Sequence, residues 1–156
     1  MAEEKVTREQ VQDFIKKLFD EHIPFNRYVG LNIVESRPEY VEIKIGMRDE
    51  LVGNFYHKML HGGVITTILD VAGGLVAMIS TVEKIENLDV NYLRKRLVNV
   101  GTVDIHINFL LPGRGVEFTA TSIIIRQGSK VAVTRMELKN EINELIAIGT
   151  ATYLVG

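Results

Sequence analysis

The chain has no cysteine and no tryptophan among its 156 residues. Without cysteine there is no disulfide framework, no thiol nucleophile and no thiolate metal site. Neither sign of charge is in excess: 18 Lys and Arg stand against 20 Asp and Glu, a formal net charge of −2. Nothing global therefore draws the protein to nucleic acid or to an anionic membrane surface. Aromatic residues make up only 7%, few for a base-stacking platform, and nucleic acid is not an expected partner. The patterns G-x-S-x-G, Walker A and G-x-G-x-x-G are missing too. A serine nucleophile elbow and a phosphate-cradling loop thus have no support.

Charge is also locally absent. From Met59 to Val82, 24 residues carry a single formal charge, Asp70. A membrane-spanning helix needs ~20 predominantly apolar residues, but Asp70 sits mid-run among Thr66, Thr67, Gly62, Gly63, Gly73 and Gly74. A core helix over about 62–80 is the better reading, and membrane insertion is not expected. The N-terminus is charged and amphipathic, with no apolar leader segment, so a cytoplasmic location is expected.

The rest of the pattern supplies what could wrap such a helix. Thr7 and Gln10 form a capping-box pair ahead of Val11, Phe14, Ile15, Leu18 and Phe19. This spacing predicts a helix over about 8–21, ended by Pro24. Alternation predicts strands over 31–36, 40–47, 101–111, 116–126, 130–140 and 145–155. Turn residues separate the last four. Residues 48–60 read as irregular, and 81–99 as a polar insertion holding a short helix. A helix apolar on all sides must be enclosed. The expected fold is α+β: one antiparallel sheet of about five or six strands curved around the central helix, the N-terminal helix outside. One domain of residues 1–156 accounts for all of it, with a second subunit covering what one sheet leaves open.

Asp70 is the leading candidate for chemistry. A carboxylate in an apolar helix costs several kcal/mol unless paired or hydrated, and such groups concentrate at functional sites. At helical spacing its face carries Gly63, Thr66, Thr67, Gly73, Gly74 and Ala77, all small. Either another helix packs closely there or a substrate fills the space. His61-Gly62-Gly63 opens the same helix, where the first amides lack intrahelical acceptors and carry the positive end of the dipole. Two glycines there let a carbonyl oxygen approach the backbone, an arrangement that stabilises a developing oxyanion. Gly62 and Asp70 are eight residues apart, ~12 Å along a helix, too far to act on one bond from one chain. If both serve one reaction, a two-fold dimer must bring Asp70 of one subunit to the helix start of the other.

His57 and His61 stand four apart but lack the intervening Glu and a third ligand, so no metal site is expected. Arg114, Arg126 and Lys130 are scattered cations; beyond a solvated surface, they suit a phosphorylated small molecule.

Several segments together resemble the PaaI-type hotdog-fold thioesterases. They are His61-Gly62-Gly63-Val64-Ile65, Leu69-Asp70-Val71-Ala72-Gly73-Gly74, the strand and turn from Gly101 through Gly115, and Arg126 to Val133. The closing Gly149-Thr150-Ala151-Thr152-Tyr153-Leu154-Val155-Gly156 and the earlier Val52-Gly53-Asn54 belong with them. The resemblance implies a hotdog fold and hydrolysis of medium- or long-chain acyl-CoA to free acid and CoA, without a cofactor. It assigns Asp70 as general base or nucleophile, Gly62 as the polarising amide with Gly63 beside it, and His61 as the residue that sets this turn. Thr102 matches a hydroxyl that bonds the attacking water, and Asn54 an asparagine near the same site. A homodimer is implied, with two dimers pairing into a tetramer. Two departures stand out: 81–99 is longer than in small relatives, and Leu111 replaces an Arg found before the Pro in many of them. The rival readings are an acyl-CoA binding or sensing protein without turnover, and a hydratase, which would want a His together with its carboxylate.

Overall fold

The computed structural model describes residues 6–86 and 88–156. Helix α1 (Arg8–Lys17) begins at Thr7, whose hydroxyl accepts from the Gln10 amide while the Gln10 side chain accepts from the Thr7 amide. The helix does not run evenly to residue 21. From Leu18 to His22 it widens into a π-helical turn closed by Ile23 N donating to the Leu18 carbonyl, 3.0 Å. Pro24 has no N–H with which to continue the ladder, and the freed Phe19 carbonyl accepts instead from Asn26 Nδ2 at 2.9 Å. Pro24 itself opens the short helix α2 (Pro24–Val29), where a missing donor costs nothing.

Strands β1 (Asn32–Arg37) and β2 (Tyr40–Gly46) follow. The stretch read as irregular contains a small two-stranded ribbon, β3 (Val52–Asn54) with β4 (Met59–Leu60). Helix α3 spans Gly62–Glu83, three residues longer at its C-terminus than the sequence pattern suggests. Thr81 and Val82 are buried there, and the Thr81 hydroxyl donates back to the Ala77 carbonyl at 2.7 Å, so a residue that looks polar is satisfied inside the helix. The insertion therefore starts after α3 and holds α4 (Val90–Leu97), N-capped by Asp89. Strands β5 (Gly101–Phe109), β6 (Glu117–Gln127), β7 (Val131–Asn140) and β8 (Leu145–Leu154) complete the chain.

Six strands make one antiparallel sheet in the order β1-β2-β6-β7-β8-β5. Its inner face carries Val41, Ile43, Ile45, Phe118, Ala120, Met136, Leu138 and Tyr153, all buried. Against them α3 lays Ile65, Ile68, Leu69, Ala72, Leu75, Val76 and Ile79. Each fully buried aliphatic side chain contributes roughly 1.5–3 kcal/mol. By length and composition α3 could cross a bilayer, but more than half of its apolar window is buried inside this protein.

The wrapping is incomplete in two places that matter for function. Along one flank of α3, Gly63 is exposed and Thr67, Asp70, Val71 and Gly74 remain half-exposed. At Met78 the helix meets a half-open pocket lined also by residues of α1 and α4. The second gap is β5, a nine-residue edge strand with Val103 and Phe109 exposed and Ile105 and Ile107 half-buried. The other edge, β1, is shorter, carries Glu35 and Arg37 and is interrupted by a register shift between Ile33 and Glu35, the usual ways of blunting an edge.

Candidate active site

Asp70 lies at the middle of the bare stripe of α3, beside the β5 edge. The Thr102 hydroxyl donates to its Oδ1 at 2.8 Å, and the Tyr153 hydroxyl lies 3.2 Å from the same oxygen and 2.9 Å from the Asp70 carbonyl. Thr102 and Tyr153 are cross-strand partners on β5 and β8. The register shift between Thr102 and Asp104 turns Thr102 toward the helix. One carboxylate oxygen is thus fixed by two hydroxyls. Oδ2 has no hydrogen-bond partner among the described residues, and the residue itself is half-exposed.

Tyr153 is the site residue that sequence reasoning missed. It is buried, and the burial, followed by the Asp70 charge and the hydrogen bond to it, holds its phenol well above the ordinary range; the Thr134 hydroxyl opposes this. Its ring also explains Gly73, though not Gly74. A Cβ on Gly73 would collide with the Tyr153 hydroxyl, and would stand 2.9 Å from its Cζ and 3.0 Å from Thr134 Oγ1; one on Gly74 would stand 3.4 Å from the ring. Gly73 therefore makes room for the chain's own tyrosine, not for another helix or a ligand. Gly73→Ala is expected to destabilise the fold by about 1–3 kcal/mol through overpacking, read as a lower urea midpoint.

The raised Tyr153 pKa has a definite sign. The unfolded chain loses this proton near pH 10 while the folded one keeps it. The stabilisation is full below pH ~10 and declines as pH rises toward the folded value. Tyr40, pushed up to about 12 by burial and by its hydrogen bond to Glu42, adds in the same direction. Tyr153→Phe should flatten the fall in urea stability above pH 10; an unchanged slope would contradict the assignment.

At the other end of the stripe, the His61 side chain caps α3: its Nδ1 accepts from the Gly63 amide at 2.8 Å. That amide is committed, so of the pair expected to polarise a carbonyl only Gly62 N–H has no acceptor among the described residues. A Cβ on Gly62 would meet the Phe109 ring at 3.6 Å. One on Gly53 would fall 2.7 Å from the His61 Cα, so this glycine of β3 lets His61 sit where it does.

The remaining candidates are placed differently. Thr66 and Thr67 donate to the Gly62 and Gly63 carbonyls at 3.0 and 2.9 Å, satisfying their hydroxyls within the helix. Asn54 is exposed and its Oδ1 accepts from the His57 amide at 3.2 Å, tying the β3–β4 turn. Arg114 lies beside the start of α3, because Leu60 N donates to the neighbouring Gly113 carbonyl at 2.8 Å. Arg126 and Lys130 stand at the far end of β6, roughly 35 Å along the strand, next to the C-terminal end of α3, where Lys84 reaches the Gln127 carbonyl. The structure does not bring the three cations together. Among the described residues no three His, Cys, Asp or Glu side chains cluster closely enough to hold a metal.

One antiparallel sheet of six strands curled around a long central helix is the hotdog fold. The sequence pattern of the thioesterase superfamily matches residues 57–147, more than half of the chain, and the protein belongs to that superfamily. It is 44% identical over 151 residues, 97% of each chain, to the medium/long-chain acyl-CoA thioesterase YigI of Escherichia coli (strain K12). A crystal structure from Shewanella oneidensis, of a protein related to the thioesterase superfamily, matches with TM-score 0.93 and 42% identity over 98% of this chain and 100% of that one. The E. coli PaaI protein shares the fold alone, with TM-score 0.69 at 17% identity over 94% and 97% of the two chains.

Proposed function

We propose that the protein hydrolyses medium- and long-chain acyl-CoA as a homodimer with two composite sites. The observation that carries the reading is the asymmetric carboxylate: Asp70 Oδ1 is held by Thr102 and Tyr153, while Oδ2 of this half-exposed residue has no partner among the described residues. A thioester is an activated electrophile. It needs an aimed carboxylate and an oxyanion donor, but no serine triad. Gly62 N–H is that donor, ~12 Å up the helix from Asp70 of the same chain.

The exposed β5 edge supports the dimer that this spacing demands. Thr102 marks the Asp70 end of the strand, and Phe109 marks the Gly62 end. Antiparallel pairing of two β5 strands about His106 sets Phe109 of one subunit near Thr102 of the other. Asp70 of one subunit then meets the helix start of its partner. In each site the substrate carbonyl accepts from Gly62 N–H, and water loses its proton to Asp70 Oδ2 as its oxygen bonds the carbonyl carbon. Collapse of the tetrahedral intermediate breaks the C–S bond, giving acid and CoA thiolate. Arg114, next to the Gly113 carbonyl that accepts from Leu60 N, is the cation we assign to a CoA phosphate.

Free thiol release from acyl-CoAs of graded chain length tests the reading, with the solution mass measured alongside. Turnover of medium and long chains by a species of at least two 17.6 kDa subunits is expected. No turnover at any length would overturn it in favour of binding without hydrolysis, and an active monomer would overturn the composite site.

A further inference from the structure

Helices α1 and α4 flank a half-open apolar cavity of about 520 Å³ lined by Val11 and Phe14 of α1, Met78 of α3, and Val90, Leu93 and Leu97 of α4. Its volume lies within the usual range for small-molecule sites, and its polar contributors are Gln10 and the exposed Arg94. No residue of the catalytic arrangement lines it. Its place on α3 is what gives it meaning. The uncovered stripe Thr67, Asp70, Val71 and Gly74 continues at helical spacing to Met78, which lines the cavity with residues of α1 and α4. The cavity thus begins about one helical turn beyond Gly74, on the row of α3 that carries Asp70.

We infer that this cavity receives the distal end of the acyl chain, and that the α4 insertion together with α1 sets chain-length preference. The inference rests on the thioesterase reading above. From Asp70 to Met78 is ~12 Å along the helix. An extended methylene chain with ~1.5 Å bonds and tetrahedral angles advances ~1.25 Å per carbon. About nine or ten carbons thus span the stripe, and only longer chains place methylenes among Phe14, Met78 and Val90. Shorter chains end on the stripe and gain nothing from the cavity. Gly74 leaves the path clear at the one helical position between Asp70 and Met78 on this row. An almost wholly apolar lining suits an alkyl tail and disfavours the polar parts of CoA.

Two substitutions at partly exposed rim positions test this without disturbing the core: Val90→Glu, which puts a charge at the tail site, and Val98→Trp, which fills its mouth. Burial is worth about fourfold per methylene. Loss of three or four methylene contacts should lower kcat/KM for hexadecanoyl-CoA by about 50–250-fold, while hexanoyl-CoA stays within about twofold of wild type. An unchanged ratio between the two substrates in both folded variants overturns the inference. So does a changed solution mass with an unchanged ratio, which assigns the cavity to a second copy of the chain. A second readout does not need turnover. The chain lacks cysteine, so Val98→Cys introduces a single thiol at the rim. S-hexadecyl-CoA, a thioether that cannot be hydrolysed, should slow its alkylation by iodoacetamide at least about tenfold, and S-butyl-CoA should not. Protection without thiol release by wild type would sink the hydrolase reading and keep the tail site. Equal protection by both thioethers, or by neither, sinks the tail site.

Discussion

Asp70→Asn is expected to lower kcat for acyl-CoA hydrolysis by about 10²–10⁴-fold, the usual contribution of a positioned acid or base, while KM stays within a few fold. The substitution is nearly isosteric, and the amide oxygen still accepts from Thr102 and Tyr153. The two hydroxyls that fix Oδ1 in the wild type therefore keep the side chain in place, and the melting temperature should shift by no more than a few degrees. What is lost is the free Oδ2, the atom proposed to take the proton from water or to attack the carbonyl directly. Single-turnover hydrolysis in ¹⁸O-labelled water separates those routes: label reaches the Asp70 carboxylate only through nucleophilic attack. Unchanged turnover in the variant would remove Asp70 from the chemistry.

This carboxylate was the most legible feature of the sequence, for a physical reason. A lone charge in a 24-residue apolar run is costly unless something meets it, and Thr102 and Tyr153 do so. The wrapped helix and its antiparallel sheet were equally legible, because an all-round apolar helix and alternating strands admit few arrangements. Tyr153 was not. A buried tyrosine in an alternating strand looks like any inward-facing residue, and only the fold shows its hydroxyl under Asp70. The small residues Gly73 and Gly74 were ambiguous in the same way, since sequence spacing does not tell clearance for a ligand from clearance for the chain's own ring. The capping of the Gly63 amide by His61 was not legible either, because it is a matter of side-chain direction, invisible in spacing. Arg126 and Lys130 looked equivalent to Arg114 only because one strand's length separates them, a distance that composition cannot register.

Gly62→Pro is expected to lower kcat by about 10²–10³-fold, the cost of losing one oxyanion donor. The change is unusually selective. Gly62 is the first residue of α3, where proline is tolerated because its nitrogen has no intrahelical partner. His61 before it is extended, at φ −64° and ψ 135°, the conformation that a following proline favours. A Cβ there meets the Phe109 ring at an ordinary 3.6 Å. The fold should survive, and only the N–H is removed. The pair of variants then tests the composite site. Alone, Asp70→Asn and Gly62→Pro each disable both sites of a dimer. In a mixed dimer, the intact Gly62 of one subunit faces the intact Asp70 of the other, so one site is whole and the second is doubly disabled. Unfolding and refolding the two variants together in equal amounts, with random pairing, should restore about one quarter of wild-type turnover. If both groups instead served a site within one chain, mixing would restore nothing, because no subunit in the mixture carries both.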